Sequence, residues 1–127
     1  MNYSSPNQSA THHDLIASDK VEGANVYRPD GEKIGHITRL MIEKRSGLAR
    51  FAVMNFGGFL GDGEGQYPLP WSALTYNRDL GGYELDLTDE QSRNAPKIDD
   101  AATWDWSDAD SGRRLAEYYG TTIIVFG

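Results

Sequence analysis

From position 24 onward, short runs of β-branched and aromatic residues are separated by turn residues, a pattern that predicts a small antiparallel sheet or barrel. A predicted strand at 25–28 is followed by a Pro-Asp-Gly turn at 29–31, because proline presets φ and glycine tolerates a tight reversal. Predicted strands at 33–44 and 48–56 are separated by Ser-Gly at 46–47. They form the longest predicted hairpin of the protein.

This hairpin carries apolar side chains on both faces. On its first strand the alternation places Leu40 and Ile42 on one face, and Ile37 and Met41 on the other. On its second strand Phe51 and Val53 lie on one face, and Ala52, Met54 and Phe56 lie on the other. A sheet with one face in water alternates cleanly, so we expect this hairpin to be covered on both sides. In so short a chain the second cover must come from the C-terminal tail or from another subunit.

The segments after the hairpin predict shorter elements. Five glycines among the nine residues 57–65 indicate a loop. The runs 74–77 and 83–87 predict a second hairpin. Thr88 and Gln91 have the spacing of a capping box, which opens a short helix.

The C-terminal residues are expected to add a helix and an extended segment. Ser107 can cap a helix over 108–119. Residues 121–126 (TTIIVF) have the composition of a strand. We therefore divide the chain into a flexible leader at 1–14, a β domain at 15–97 and an extension at 98–127.

Charge distinguishes the extension from the rest. The chain has 127 residues and a net charge of −7, and residues 98–127 hold six acids against two bases. The chain lacks a basic stripe that could neutralise phosphates, and this absence disfavours nucleic-acid binding. The longest apolar run has four residues, against about 20 needed to span a bilayer. Cysteine is absent, which fits a reducing, cytoplasmic location.

Two groups of residues have the chemistry of metal ligands. His12, His13 and Asp14 combine imidazoles with a carboxylate. Asp62 and Glu64 could contribute oxygens to calcium, although the EF-hand spacing is missing. Both groups are better explained as solvated surface, so no metal or cofactor is predicted. Without cysteine or a recognisable serine or lysine nucleophile, no catalytic residue is predicted either, and we do not expect an enzyme.

Four stretches of the sequence form a more specific combination: Val26-Tyr27 with PDGEKIG at 29–35, Leu40-Met41-Ile42 with Lys44-Arg45-Ser46-Gly47, FGGFLG at 56–61 with YPLPW at 67–71, and LGGYELDLTDEQ at 80–91. In this combination the segment 15–97 resembles the PRC-barrel family, named after the cytoplasmic domain of the photosynthetic reaction centre H subunit. The chain is most similar to short stand-alone bacterial members with Tyr-Tyr-Gly in the tail, as at 118–120. The resemblance implies an all-β fold, a small barrel of five to six strands with a short helix and a helical or extended tail.

The resemblance also implies an assembly module without catalytic residues. We therefore predict a non-catalytic protein–protein interaction module, a homodimer or a complex with another protein. The predicted interaction surface comprises Ile37, Met41, Met54, Phe56, Phe59 and Leu60. A small-ligand or metal-binding module is the first alternative, and an RNA-processing or ribosome-associated accessory protein is the second.

Overall fold

A computed structural model describes residues 15–56 and 65–120. The elements of these residues follow in chain order: helix α1 (Ser18–Val21), strands β1 (Asn25–Tyr27), β2 (Lys33–Ile42), β3 (Ala49–Asn55) and β4 (Tyr67–Pro70), a 3-10 turn (Trp71–Ala73), strands β5 (Thr75–Asn77) and β6 (Gly82–Glu84), and helices α2 (Asp89–Arg93) and α3 (Ala109–Tyr118). Both predicted hairpins are present, as β2–β3 and β5–β6. The predicted strand at 121–126 lies outside the described residues.

The described strands form one open mixed sheet in the order β4-β3-β2-β1-β6-β5. The prediction of a mostly β domain with five to six strands is confirmed at this level, although the described residues show no closed barrel. One feature departs from the predicted antiparallel pattern, because β1 and β6 pair in parallel through Val26 and Tyr83. A parallel pair needs a long crossover connection, and strands β2 to β5 supply it here.

A register shift between Ile37 and Arg39 changes which residues of β2 share a face. Ile37 lies opposite Met54, and Leu40 lies opposite Ala52. Since Met54 and Ala52 are two positions apart on β3, Ile37 and Leu40 point to the same face. The predicted separation of Leu40 from Ile37 is therefore wrong, and both pack in the main core.

The other face of the hairpin is covered by the chain's own C-terminal extension. Val53 is fully buried in a second apolar cluster with Ile98 and Ala101, against which Trp104 and Trp106 also pack. The Trp106 ring lies 5.3 Å from that of Phe51, centroid to centroid. The expectation of two covered faces holds, and the extension provides the second cover.

Hydrogen bonds hold the extension in this place. The Ile98 amide donates to the Gln66 carbonyl over 2.9 Å, and the Ala101 amide donates to the Gln66 side-chain oxygen over 2.7 Å. The Trp106 indole Nε1 donates to the Ala101 carbonyl over 2.9 Å. Each hydrogen bond satisfies a polar group that the packing removes from water, so the extension has one preferred position on the sheet.

The two later helices begin at specific caps. The predicted capping box is present at α2, where the Gln91 amide donates to the Thr88 hydroxyl and the Thr88 amide donates to the Gln91 side chain. Helix α3 is capped by Asp108, which accepts from the Asp110 amide, and not by Ser107 as predicted. The Ser107 hydroxyl instead donates to Asp105. A carboxylate one residue later serves better because it also interacts favourably with the helix dipole.

Helix α3 is amphipathic and packs on the domain. Leu115 and Ala116 are buried, and Tyr118 and Tyr119 pack against the main core. The Tyr118 hydroxyl donates to the Gln91 carbonyl of α2. Among the described helices none has both the length and the apolar character needed to cross a membrane.

Candidate functional site

Three of the six residues predicted to form an interaction surface lie inside the fold. Ile37, Met54 and Phe56 are only 1%, 0% and 3% exposed and belong to the main core. Side chains this buried cannot add contact area with a partner, so their assignment to a surface is corrected. Met41 is half-buried opposite Phe51.

Several candidates fall outside the described residues: Phe59, Leu60, His12, His13, Asp14, Asp62 and Glu64. Their roles as partner contacts or metal ligands stay predictions. Among residues 15–56 and 65–120, no three histidine, aspartate or glutamate side chains cluster in a way that could hold a metal ion. The remaining candidate sites among the described residues are exposed surfaces and clefts.

The distal end of the β2–β3 hairpin, residues 42–50, extends past its neighbours in the sheet; we call it the hairpin arm. Pairing between β1 and β2 ends at His36, and pairing between β4 and β3 ends at Phe51. Neither neighbouring strand therefore reaches the arm. A two-stranded ribbon without a covering layer is at best marginally stable in water, so local interactions must hold this end in shape.

Polar contacts order the turn of the arm. The Glu43 amide donates to the Leu48 carbonyl over 2.8 Å, and the Gly47 amide donates to the Glu43 carbonyl over 2.9 Å. Gly47 adopts φ +77°, a left-handed conformation that favours glycine. The Glu43 carboxylate accepts from the Ser46 hydroxyl and forms an ion pair of 3.2 Å with Arg50. The arm is thus ordered before it meets any partner, which lowers the entropy cost of binding.

Two large apolar side chains are exposed on this arm. Ile42, the last residue of β2, is 52% exposed, and Leu48, which directly precedes β3, is 51% exposed. A single exposed apolar residue is unremarkable, but two at the end of an ordered projection mark a contact surface. The sequence pattern assigned Ile42 to a covered face. The exposure of Ile42 could have been inferred from the shortness of the predicted strand at 25–28, which cannot extend along the whole length of a ten-residue neighbour.

The arm is also basic. Residues 42–50 hold three bases and one acid, a net charge of +2 in a chain whose total is −7. Because Arg50 pairs with Glu43, the excess positive charge is carried by Lys44 and Arg45, which are both exposed. The arm therefore presents apolar and cationic groups together.

A second surface of note is an open cleft of about 350 Å³ on the extension, which we call the acidic cleft. It is lined by Lys97, Ile98, Asp99, Asp100, Thr103, Trp104, Asp105, Asp108 and Ser111. Asp100 accepts a hydrogen bond from the Ala102 amide, and Asp105 accepts from Ser107. These donors are uncharged, so the negative charges of both carboxylates are not neutralised by them.

Asp108, at the edge of the acidic cleft, has a different role. Its carboxylate accepts from the Asp110 amide over 3.0 Å and from the Ser111 hydroxyl over 3.1 Å. These hydrogen bonds stabilise the charged form and lower the pKa of Asp108. The carboxylate therefore stays ionised while it caps α3, and it adds a further negative charge to the cleft.

A larger open cleft of about 650 Å³ lies where α3 meets the region of the 3-10 turn and α2. Tyr118, Tyr119, Glu117, Asp86 and Gln91 are among its lining residues. The Tyr119 hydroxyl is buried and has no hydrogen-bond partner among the described residues. Burial raises the pKa of Tyr119 far above its ordinary value, and the neighbouring Tyr118 and Tyr67 contribute in the same direction.

Arg28 forms a polar contact that is structural. Its buried guanidinium donates through Nε to the Leu87 carbonyl over 2.9 Å and through Nη1 to Glu32 over 2.6 Å, and it pairs with Asp89. These bonds join the turn after β1 to the start of α2. Because the group is engaged in holding these segments together, it is unsuited to a role in binding or proton transfer.

Comparison with known proteins identifies the fold family. Residues 13–91, which are 79 of the 127 residues, match the family model described as the PRC-barrel domain. The match contains the entire hairpin arm and ends before the extension begins. No curated protein matches the chain.

Proposed function

The chain belongs to the PRC-barrel family, and from that premise we propose that it is a non-catalytic protein–protein interaction module that associates through its hairpin arm. The observation that carries the proposal is the exposure of Ile42 and Leu48 on a pre-ordered arm. Elsewhere the same hairpin is covered on both faces by its own chain. The arm is therefore the part of the hairpin that is left for a partner.

The reason to expect self-association differs from the one that the sequence suggested. The uncovered second face of the hairpin was the argument for a homodimer, and the extension supplies that cover. Within the described residues the arm is the feature that favours a homodimer, and the predicted contacts of Phe59 and Leu60 lie outside them. A partner that packs on the arm would bury the exposed side chains of Ile42 and Leu48 and could pair with the strand edges that β1 and β4 do not reach.

The size of the apolar contact limits what it can do alone. Burying a leucine or isoleucine side chain completely contributes about 1.5–3 kcal/mol, and here roughly half of each side chain is still exposed. The two together offer about 2 kcal/mol, less than the cost of about 4–15 kcal/mol for bringing two molecules together. A stable complex therefore also needs the charged groups beside them.

Sedimentation equilibrium of the full chain at micromolar concentration tests the proposal. We expect a concentration-dependent dimer or higher species, and a clearly weaker association in the double variant Ile42→Ser with Leu48→Ser. The matched control is Ile16→Ser, which removes an exposed isoleucine elsewhere on the chain. A monomer at every concentration, or equal weakening by the control, would contradict self-association through the arm.

A further inference from the structure

We propose that the hairpin arm of one copy binds the acidic cleft of a second copy, so that two unlike surfaces of this chain form the contact. This inference rests on the proposed function and identifies the partner as the chain itself. It follows from the chemistry of the two surfaces, which are complementary in both charge and polarity.

Like charge excludes the simplest alternative, a dimer formed arm to arm. Such a contact would bring together two surfaces that each carry a net charge of +2. Like charges placed opposite each other across an interface cost several kcal/mol. The apolar contact of about 2 kcal/mol cannot offset that repulsion. The arm must therefore bind a surface of opposite charge.

The same chain provides that surface. The lining of the acidic cleft combines the carboxylates of Asp99, Asp100, Asp105 and Asp108, which outnumber the single cation of Lys97, with the partly buried Trp104. Its mixture of groups mirrors that of the arm, where cationic and apolar side chains also lie together. An arginine such as Arg45 can interact with both parts at once, since a guanidinium pairs with carboxylates and also stacks on an indole ring.

The dimensions of the cleft fit side chains rather than a whole ribbon. A volume of about 350 Å³ lies at the small end of the range of ligand sites. The tip of the arm is a tight turn in which Lys44 and Arg45 are exposed. We infer that these two side chains enter the cleft while Ile42 and Leu48 cover its margins.

A contact between unlike surfaces permits two kinds of assembly. If each copy gives its arm and receives its partner's arm, the result is a two-fold dimer. If each copy binds the next in one direction, the result is a ring or an open chain. In both cases one arm and one cleft are used in each contact, so the same charge substitutions weaken either assembly.

Charge reversal tests this contact. The double variant Lys44→Glu with Arg45→Glu is expected to weaken self-association at least about tenfold at low salt, and so is Asp99→Lys with Asp100→Lys. A chain that carries all four changes should regain association to within about threefold of the original chain, because the attraction is restored with reversed signs. Added salt should weaken the original contact.

Two controls separate the contact from net charge and from misfolding. Asp79→Lys with Asp86→Lys makes the same change in net charge at exposed positions outside the acidic cleft and should leave association unchanged. Asp99→Lys alone is the fallback variant, since Asp99 is an exposed residue of the cleft. Its melting temperature should match that of the original chain.

Each outcome bears on one proposal. One outcome is that the variant Ile42→Ser with Leu48→Ser loses association while the chain with all four charge reversals does not regain it. In that case the arm is an interface and the acidic cleft is not its partner. If the original chain is always monomeric, self-association through the arm fails, and the contact between arm and cleft fails with it. If the monomer binds phosphatidylserine vesicles through Lys44 and Arg45, an anionic membrane replaces the second copy, and the inference is overturned.

Discussion

The two ends of the β2–β3 hairpin carry similar apolar sequences but have opposite environments. At the end near residues 51–56, the main core covers one face and the extension covers the other, and Val53 is fully buried. At the arm, Ile42 and Leu48 are about half exposed. The difference arises from the length of neighbouring elements. An apolar residue in a strand is buried only where another element is long enough to lie across it.

The largest effect is expected at the buried end. Val53→Asp places a carboxylate between the sheet and the extension, where it has no water and no cationic partner among the residues of the cluster. We expect the free energy of unfolding to fall by about 3–5 kcal/mol. Urea denaturation followed by tryptophan fluorescence measures this loss. A loss below 1 kcal/mol would mean that the extension does not cover this face in solution.

Trp106→Ala tests the extension from the other side. The substitution removes the ring against Phe51 and the indole hydrogen bond to Ala101. Because Trp106 is half-buried, a loss of about 2–4 kcal/mol is expected, somewhat less than for Val53→Asp. Hydrogen exchange should show faster exchange of the Ile98 and Ala101 amides. Unchanged protection of these amides would contradict the proposed cover.

Tyr119→Phe examines how α3 packs on the main core. Removing a buried hydroxyl that lacks a partner among the described residues should raise the free energy of unfolding by up to about 1 kcal/mol at neutral pH. The urea midpoint of the variant against the original chain measures the change. A marked loss of stability would show that the hydroxyl is satisfied in solution.

The same tyrosine makes stability depend on alkaline pH. Its folded pKa is raised above the ordinary value of 10.0, so its contribution is fully present below pH 10 and is lost as the pH rises further. The unfolded chain ionises Tyr119 first, and this draws the equilibrium toward unfolding. In Tyr119→Phe the melting temperature should therefore fall less steeply above pH 10. Identical slopes in both proteins would contradict the burial of this group.

The smallest effect on stability is expected at the arm. Ile42→Ser with Leu48→Ser should change the free energy of unfolding of the monomer by less than about 1 kcal/mol, because both side chains are already half in water. The measurement is made at concentrations too low for association. A large loss of unfolding free energy there would mean that the arm is packed against its own chain. Together with Val53→Asp, this variant measures the contrast between the two ends.

Much of the local structure could be predicted from the sequence because it depends on neighbours along the chain. The hairpin around Ser46 and Gly47 and the capping box of Thr88 and Gln91 are set by turn and cap chemistry within a few residues. The choice of Asp108 over Ser107 as the cap of α3 was missed. Both residue types are good caps, and the carboxylate of Asp108 also interacts favourably with the helix dipole.

The candidate site was predicted less well. Pattern alone could not distinguish Met54, which is buried by its own chain, from Leu48, which is exposed. Both are apolar residues in or beside the same hairpin. The register shift after Ile37 also moved Leu40 to the other face, and a second shift between Met41 and Ile42 exchanges the faces once more.

The amino-acid sequence by itself determined the family, the strands and their turns, because alternation and turn chemistry act over short distances. Only the tertiary structure decided that β6 pairs in parallel with β1 and that the extension lies on Val53. These contacts join residues distant in sequence, and their free energy depends on which surfaces meet. The exposure of the hairpin arm is a consequence of those contacts: it is the part of the longest ribbon that no other described element is placed to cover.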